Sequence, residues 1–137
     1  MVPPLEVHQT AGQRVPRQNL AAVLAAASRL HPLLRSRDVS VAIVGDRQMR
    51  RLNRIYHGVD STTDVLTFSL EAEATVEIII CYDQAKRQAT AARWSVRQEI
   101  QLLLCHGLLH SVGFDDRRSS QERAMRTAEA AVLAKLR

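Results

Sequence analysis

The chain has 137 residues, of which 46% are apolar and only 4% aromatic, so one core built from Leu, Val, Ile and Ala is expected, with no need of disulfides or a structural metal for folding. No apolar run approaches the roughly 18 residues of a membrane span, and Met1-Val2-Pro3-Pro4-Leu5-Glu6 lacks the basic and apolar regions of a signal peptide. This points to the reducing cytoplasm. Nineteen Lys and Arg against fourteen Asp and Glu leave a net charge of +5, which suits a polyanionic partner without identifying one.

In chain order, Leu5-Glu6-Val7-His8 alternates apolar and polar residues and predicts a first strand. Asn19 is the expected cap of a helix through Leu20 to Ala27, which Pro32 should stop. Val39 to Val44 is largely β-branched and bounded by Gly45, so it predicts a strand. Asp46 is expected to cap a second helix from Arg47 to Tyr56, broken by Gly58. Its Arg47, Arg50, Arg51 and Arg54 recur at i, i+3, i+4 and i+7, forming one charged face that either follows an RNA backbone near the site or is simply solvated.

Two further strands are predicted at Asp64–Phe68 and Thr75–Tyr82. Asp83 is the expected cap of a helix over Gln84–Arg93, and Ser95 with Gln98 predicts a capping box opening an apolar helix near Val96–Val112. Ser119 with Glu122 predicts a second box, before a helix carrying Met125, Ala128, Val132 and Leu136 on one stripe. Cys81 and Cys105 each sit in apolar runs and are expected to be buried thiols. The expected architecture is α+β: a single domain over residues 1–137, with about four strands in one mixed sheet covered by about five helices.

The segment that carries chemistry runs from Cys105 to Asp116. Residues four apart share a helix face, so His106 and His110 stand side by side and can share one ion. Gly113 permits a left-handed turn that ends the helix, after which Asp115 and Asp116 arrive. Two histidines and a carboxylate with an open position form a catalytic rather than a closed structural set, here His106, His110 and Asp116. The spacing also parallels that of metzincin proteases, but Gly107 stands where those enzymes carry the glutamate that serves as general base.

The stretch His106-Gly107-Leu108-Leu109-His110-Ser111-Val112-Gly113-Phe114-Asp115-Asp116 resembles the His-Gly-x-Leu-His-Leu-x-Gly-Tyr-Asp-His signature of YbeY-type rRNA maturation factors. A second block, from Leu52 through Tyr56-His57 to Thr63-Asp64-Val65-Leu66-Thr67-Phe68, resembles that family's Leu-Asn-x-x-Tyr-Arg-x-x-Asp-x-x-Thr-Asp-Val-Leu-Ser-Phe. The resemblance implies an α+β fold, a zinc-type site and single-strand endoribonuclease activity. It also implies a role in trimming and quality control of small-subunit ribosomal RNA in the bacterial cytoplasm.

The chain departs from the pattern at three places. Asp116 replaces the last His of the signature, His57 replaces the Arg after Tyr, and Val76-Glu77 stands where Gly-Asp is usual. An anionic ligand at 116 would weaken the ion as a Lewis acid and make harder metals such as Mn²⁺ more competitive. His57 is the candidate phosphate contact or acid–base group, and Asp115 either orients a ligand histidine or is the base itself. A ribosome-assembly factor that binds RNA and metal but cleaves poorly is the rival reading.

Overall fold

Strands β1 (Leu5–Gln9), β2 (Asp38–Val44), β3 (Val65–Leu70) and β4 (Thr75–Cys81) form one mixed sheet in the order β1-β2-β4-β3, in a computed structural model that describes residues 2–136. The first, second and fourth are parallel, and β3 runs antiparallel to β4 along one edge. Five α-helices complete the described residues: α1 (Arg17–Leu30), α2 (Asp46–His57), α3 (Tyr82–Ala92), α4 (Val96–Ser111) and α5 (Ser119–Ala134). Among the described residues no helix is long and apolar enough to cross a membrane.

Successive side chains on a strand point to opposite faces, and both faces of this sheet are covered. Val39, Val41 and Ile43 pair in register with Val76, Ile78 and Ile80, and this row is buried in a cluster that takes in residues of α1, α4 and α5. The other face presents Ala42, Val44, Leu66, Phe68, Ile79 and Cys81, which pack with Met49 and Leu52 of α2. The sheet therefore separates the two segments singled out in the sequence, with His106 and His110 on one side and the arginine-bearing helix on the other. Both cysteines are buried and free, as their apolar settings predict.

Helix ends show where local sequence signals lose to tertiary ones. The Ser95–Gln98 capping box is present in both directions, at 3.1 and 2.9 Å. Replacing Ser95 by alanine should cost about 1 kcal/mol, seen as a lower urea midpoint at unchanged slope. The other four expected caps are not formed by their own helices. Helix α1 begins directly after Pro16, whose carbonyl accepts the Asn19 N–H, because proline pre-sets the first turn. Gly45, not Asp46, precedes α2, and Cys81, not Asp83, precedes α3. Asp83 instead reaches across and accepts the backbone N–H of Asp46 at 2.8 Å, so it caps α2 from another element. Ser119 makes no side-chain cap either: Arg118 stands at that position, and the Glu122 carboxylate pairs with Arg126 one turn on.

Candidate metal centre

Helix α4 lays Ile100, Leu104 and Leu108 into the core, which holds the helix against β3 and β4. Gly107 permits this approach. A Cβ at that position would lie 2.9 Å from Thr67 Oγ1 and 3.1 and 3.2 Å from the two methyl carbons of Ile78. Position 107 is thus closed to the glutamate a metzincin would need there, and the protease reading fails on steric grounds as well as on sequence.

The neighbouring His106 is half-buried. Its Nδ1 lies 2.7 Å from Glu129 Oε2 on α5, and its Nε2 faces Asp116 Oδ2 at 3.4 Å. The first contact leaves Nε2 free as a ligand nitrogen, the arrangement by which a carboxylate fixes ring orientation in a metal site. The second distance equals roughly the edge of a tetrahedron whose bonds to N and O are about 2.1 Å long. The pairing with Glu129 raises the His106 pKa, burial opposes it, and Asp116 and Asp64 add to the rise. Three carboxylates around one imidazole make a cation-attracting spot on a protein of net charge +5.

His110 follows one turn later, exposed, with its ring nearly parallel to that of His106 at 8° and a centroid distance of 6.3 Å. It therefore stands beside the His106–Asp116 pair without closing a triangle with it. Gly113 takes φ 108° and ends the helix, as its place in the sequence predicts, and the chain then returns Asp116 to His106.

Asp115 is bonded within its own loop rather than to a histidine. Its Oδ1 accepts the Asp116 N–H at 2.7 Å and its Oδ2 accepts Arg117 Nε at 2.8 Å, which lowers its pKa, and neither oxygen bonds a histidine. The orienting carboxylate is Glu129. Its signal in the sequence was a charge on the apolar stripe of α5, four residues after buried Met125. His57 stands at the exposed end of α2, stacked on Phe68 with ring centroids 6.4 Å apart.

Among the described residues, the one group of three His, Cys, Asp or Glu ligand atoms all within 4.8 Å of one another is Asp46, Cys81 and Asp83. Its members already have partners. Asp46 receives a bidentate pair from Arg87 at 2.7 and 3.0 Å, which lowers its pKa, and Asp83 caps α2. Burial pushes the Cys81 thiol up, away from the thiolate a metal prefers.

Comparison with known proteins bears on both motifs. A family model described as Endoribonuclease YbeY matches residues 6–137. The chain belongs to the endoribonuclease YbeY family. A relative named Endoribonuclease YbeY from Geobacillus kaustophilus is 33% identical, with 86% of this chain and 85% of that protein covered. Another so named, from Nautilia profundicola, is 36% identical over 78% of each chain. A third, from Anaeromyxobacter sp. (strain Fw109-5), is 38% identical over 83% of this chain, which spans only 59% of that longer protein. The solution structure of a Thermotoga maritima protein superposes with a TM-score of 0.66 at 22% identity, covering 96% of this chain and 91% of that one, and shows the same fold. Endoribonucleases act on RNA phosphodiester bonds, so the YbeY relatives are hydrolases by name.

Proposed function

We infer that this chain is a single-strand-specific endoribonuclease holding one divalent ion on His106, His110 and Asp116, and that it matures and quality-controls small-subunit ribosomal RNA in the cytoplasm. The observation that carries the site is His106, held at Nδ1 by Glu129 with Nε2 turned to Asp116 at 3.4 Å. His110 is the proposed third donor, since an exposed imidazole one turn away reorients on a picosecond to nanosecond scale. Two imidazoles and a carboxylate favour zinc, with Mn²⁺ the competitor that the anionic ligand admits.

When bound, the ion would supply Lewis-acid polarisation of a phosphoryl oxygen and an acidified water. The protein's own part is positional. Glu129 locks the tautomer and direction of His106, the Gly113 turn delivers Asp116, and the Asp115–Arg117 pair braces the loop between them.

The test is cleavage of a labelled single-stranded RNA by purified protein, with and without a chelator. Cleavage lost on chelation and restored by one ion supports the reading, and metal-independent cleavage would sink it. In a zinc titration Asp116→His should keep or tighten zinc binding, because imidazole replaces carboxylate at a similar bond length. Clearly weaker binding in that variant would remove Asp116 from the ligand set. The assembly-factor reading is the alternative, and RNA binding without cleavage under every divalent ion would establish it.

A further inference from the structure

On the sheet face opposite His106, the exposed side chains of α2 line a groove of about 750 Å³ with the loop at Asp60, Ser61 and Thr62. The two carboxylates lining it are neutralised. Asp60 takes a bidentate pair from Arg50 at 2.9 and 3.1 Å, and Asp46 is held by Arg87. Among the described residues Arg47, Arg51 and Arg54 form no close ion pair or side-chain hydrogen bond, although Arg54 lies near enough to Asp60 to help lower its pKa, so three guanidinium groups are open to the groove. From Arg47 to Arg54 the helix rises by roughly 10 Å.

Beside the groove is a small aromatic platform. Phe68 contacts Tyr56 at a centroid distance of 5.1 Å and stacks on His57 at 6.4 Å. Tyr56 is 60% exposed. In a chain with only five Phe, Tyr and Trp residues, leaving such rings open at the end of an arginine stripe is notable. His57 lies almost in line with Arg50 on the helix surface, seven residues and nearly two turns on.

We propose that the arginine face of α2 and the Tyr56–His57–Phe68 platform dock the backbone and bases of single-stranded RNA on the side of the sheet away from His106. Guanidinium groups pair with phosphates, and exposed rings stack on bases regardless of their identity, the combination that holds single strands without reading sequence. An acidic protein segment would satisfy the arginines but has no use for the rings. The loop that borders the groove runs on through Asp64 into β3, which is an edge strand of the sheet among the described residues. A strand leaving the groove therefore rounds one open edge to reach the metal centre. The choice of RNA as occupant rests on the nuclease reading, and the docking surface itself does not.

The experiment is fluorescence anisotropy of a labelled oligouridylate with the full chain carrying His106→Ala, in chelator, across a salt series. Changing Arg47, Arg51 and Arg54 together to Gln should reduce the slope of log K against log salt by about 2, from roughly 0.7 per single-strand phosphate contact. Lysine at the same three positions keeps the charge and the helix propensity, and should preserve the slope. Tyr56→Ala should weaken binding about tenfold with little change of slope. An unchanged slope in the glutamine variant would overturn the proposal. So would polyglutamate competing as well as RNA and indifferent to Tyr56→Ala, which would give the groove to an acidic protein. If the wild type cleaves no RNA yet the slope still falls, the nuclease reading fails and the docking surface stands.

Discussion

His106→Ala should abolish bound metal and metal-dependent RNA cleavage, and Glu129→Gln should weaken metal binding roughly 10- to 100-fold, the range for losing a ligand's orienting partner. The ordering follows from the geometry: His106 supplies the proposed donor atom, whereas Glu129 acts through it at 2.7 Å. The pH dependence separates the two roles. Glu129 raises the His106 pKa, so a proton competes with the ion at Nε2 up to a higher pH than for an ordinary imidazole. Wild-type affinity should therefore fall about tenfold per pH unit below that raised value. In Glu129→Gln the competing proton leaves at lower pH, so the deficit should be largest in alkaline solution and shrink as pH falls.

The metal-free chain should behave in the opposite sense. There the His106–Glu129 pairing stabilises the fold fully below the unfolded value of 6.5 and is lost as pH rises through the raised folded value. Titration with zinc at several pH values, alongside thermal melts in chelator, checks both arms. A Glu129→Gln variant with unchanged affinity at high pH would show that His106 is oriented by something else.

Gly107→Val should destabilise the protein by about 1–3 kcal/mol through overpacking, although valine is the better helix former of the two. The added Cβ meets Thr67 Oγ1 at 2.9 Å and Ile78 methyl carbons at 3.1 and 3.2 Å, on the edge strand β3 and its neighbour β4. Relief requires α4 to move away from β3, and that motion carries His106 with it. Metal affinity and melting temperature should fall together. Thermal denaturation and metal titration of Gly107→Val, alone and with Ile78→Ala, provide the check. The double variant should recover part of the strain, so the two effects should not add. Strict additivity would mean that the contact at Ile78 is not what resists the larger side chain.

Local periodicity and chain punctuation determined most of the fold. The four strands, the five helices, the Ser95–Gln98 box, the buried cysteines and the pairing of His106 with His110 on one helix face all follow from residues within a few positions of one another. So does the turn at Gly113, because positive φ is a property of the residue itself. What the tertiary structure decided is what depends on partners remote in sequence. Asp46 looks like a cap until Arg87, 41 residues later, takes its carboxylate, and Asp83, 37 residues on, takes over the capping. Asp115 looks like the partner of a ligand histidine, but Glu129, 23 residues beyond His106, reaches the ring first because α5 packs across α4. A carboxylate bonds whichever donor the packed elements bring within about 3 Å, and helix packing, not proximity along the chain, sets that distance.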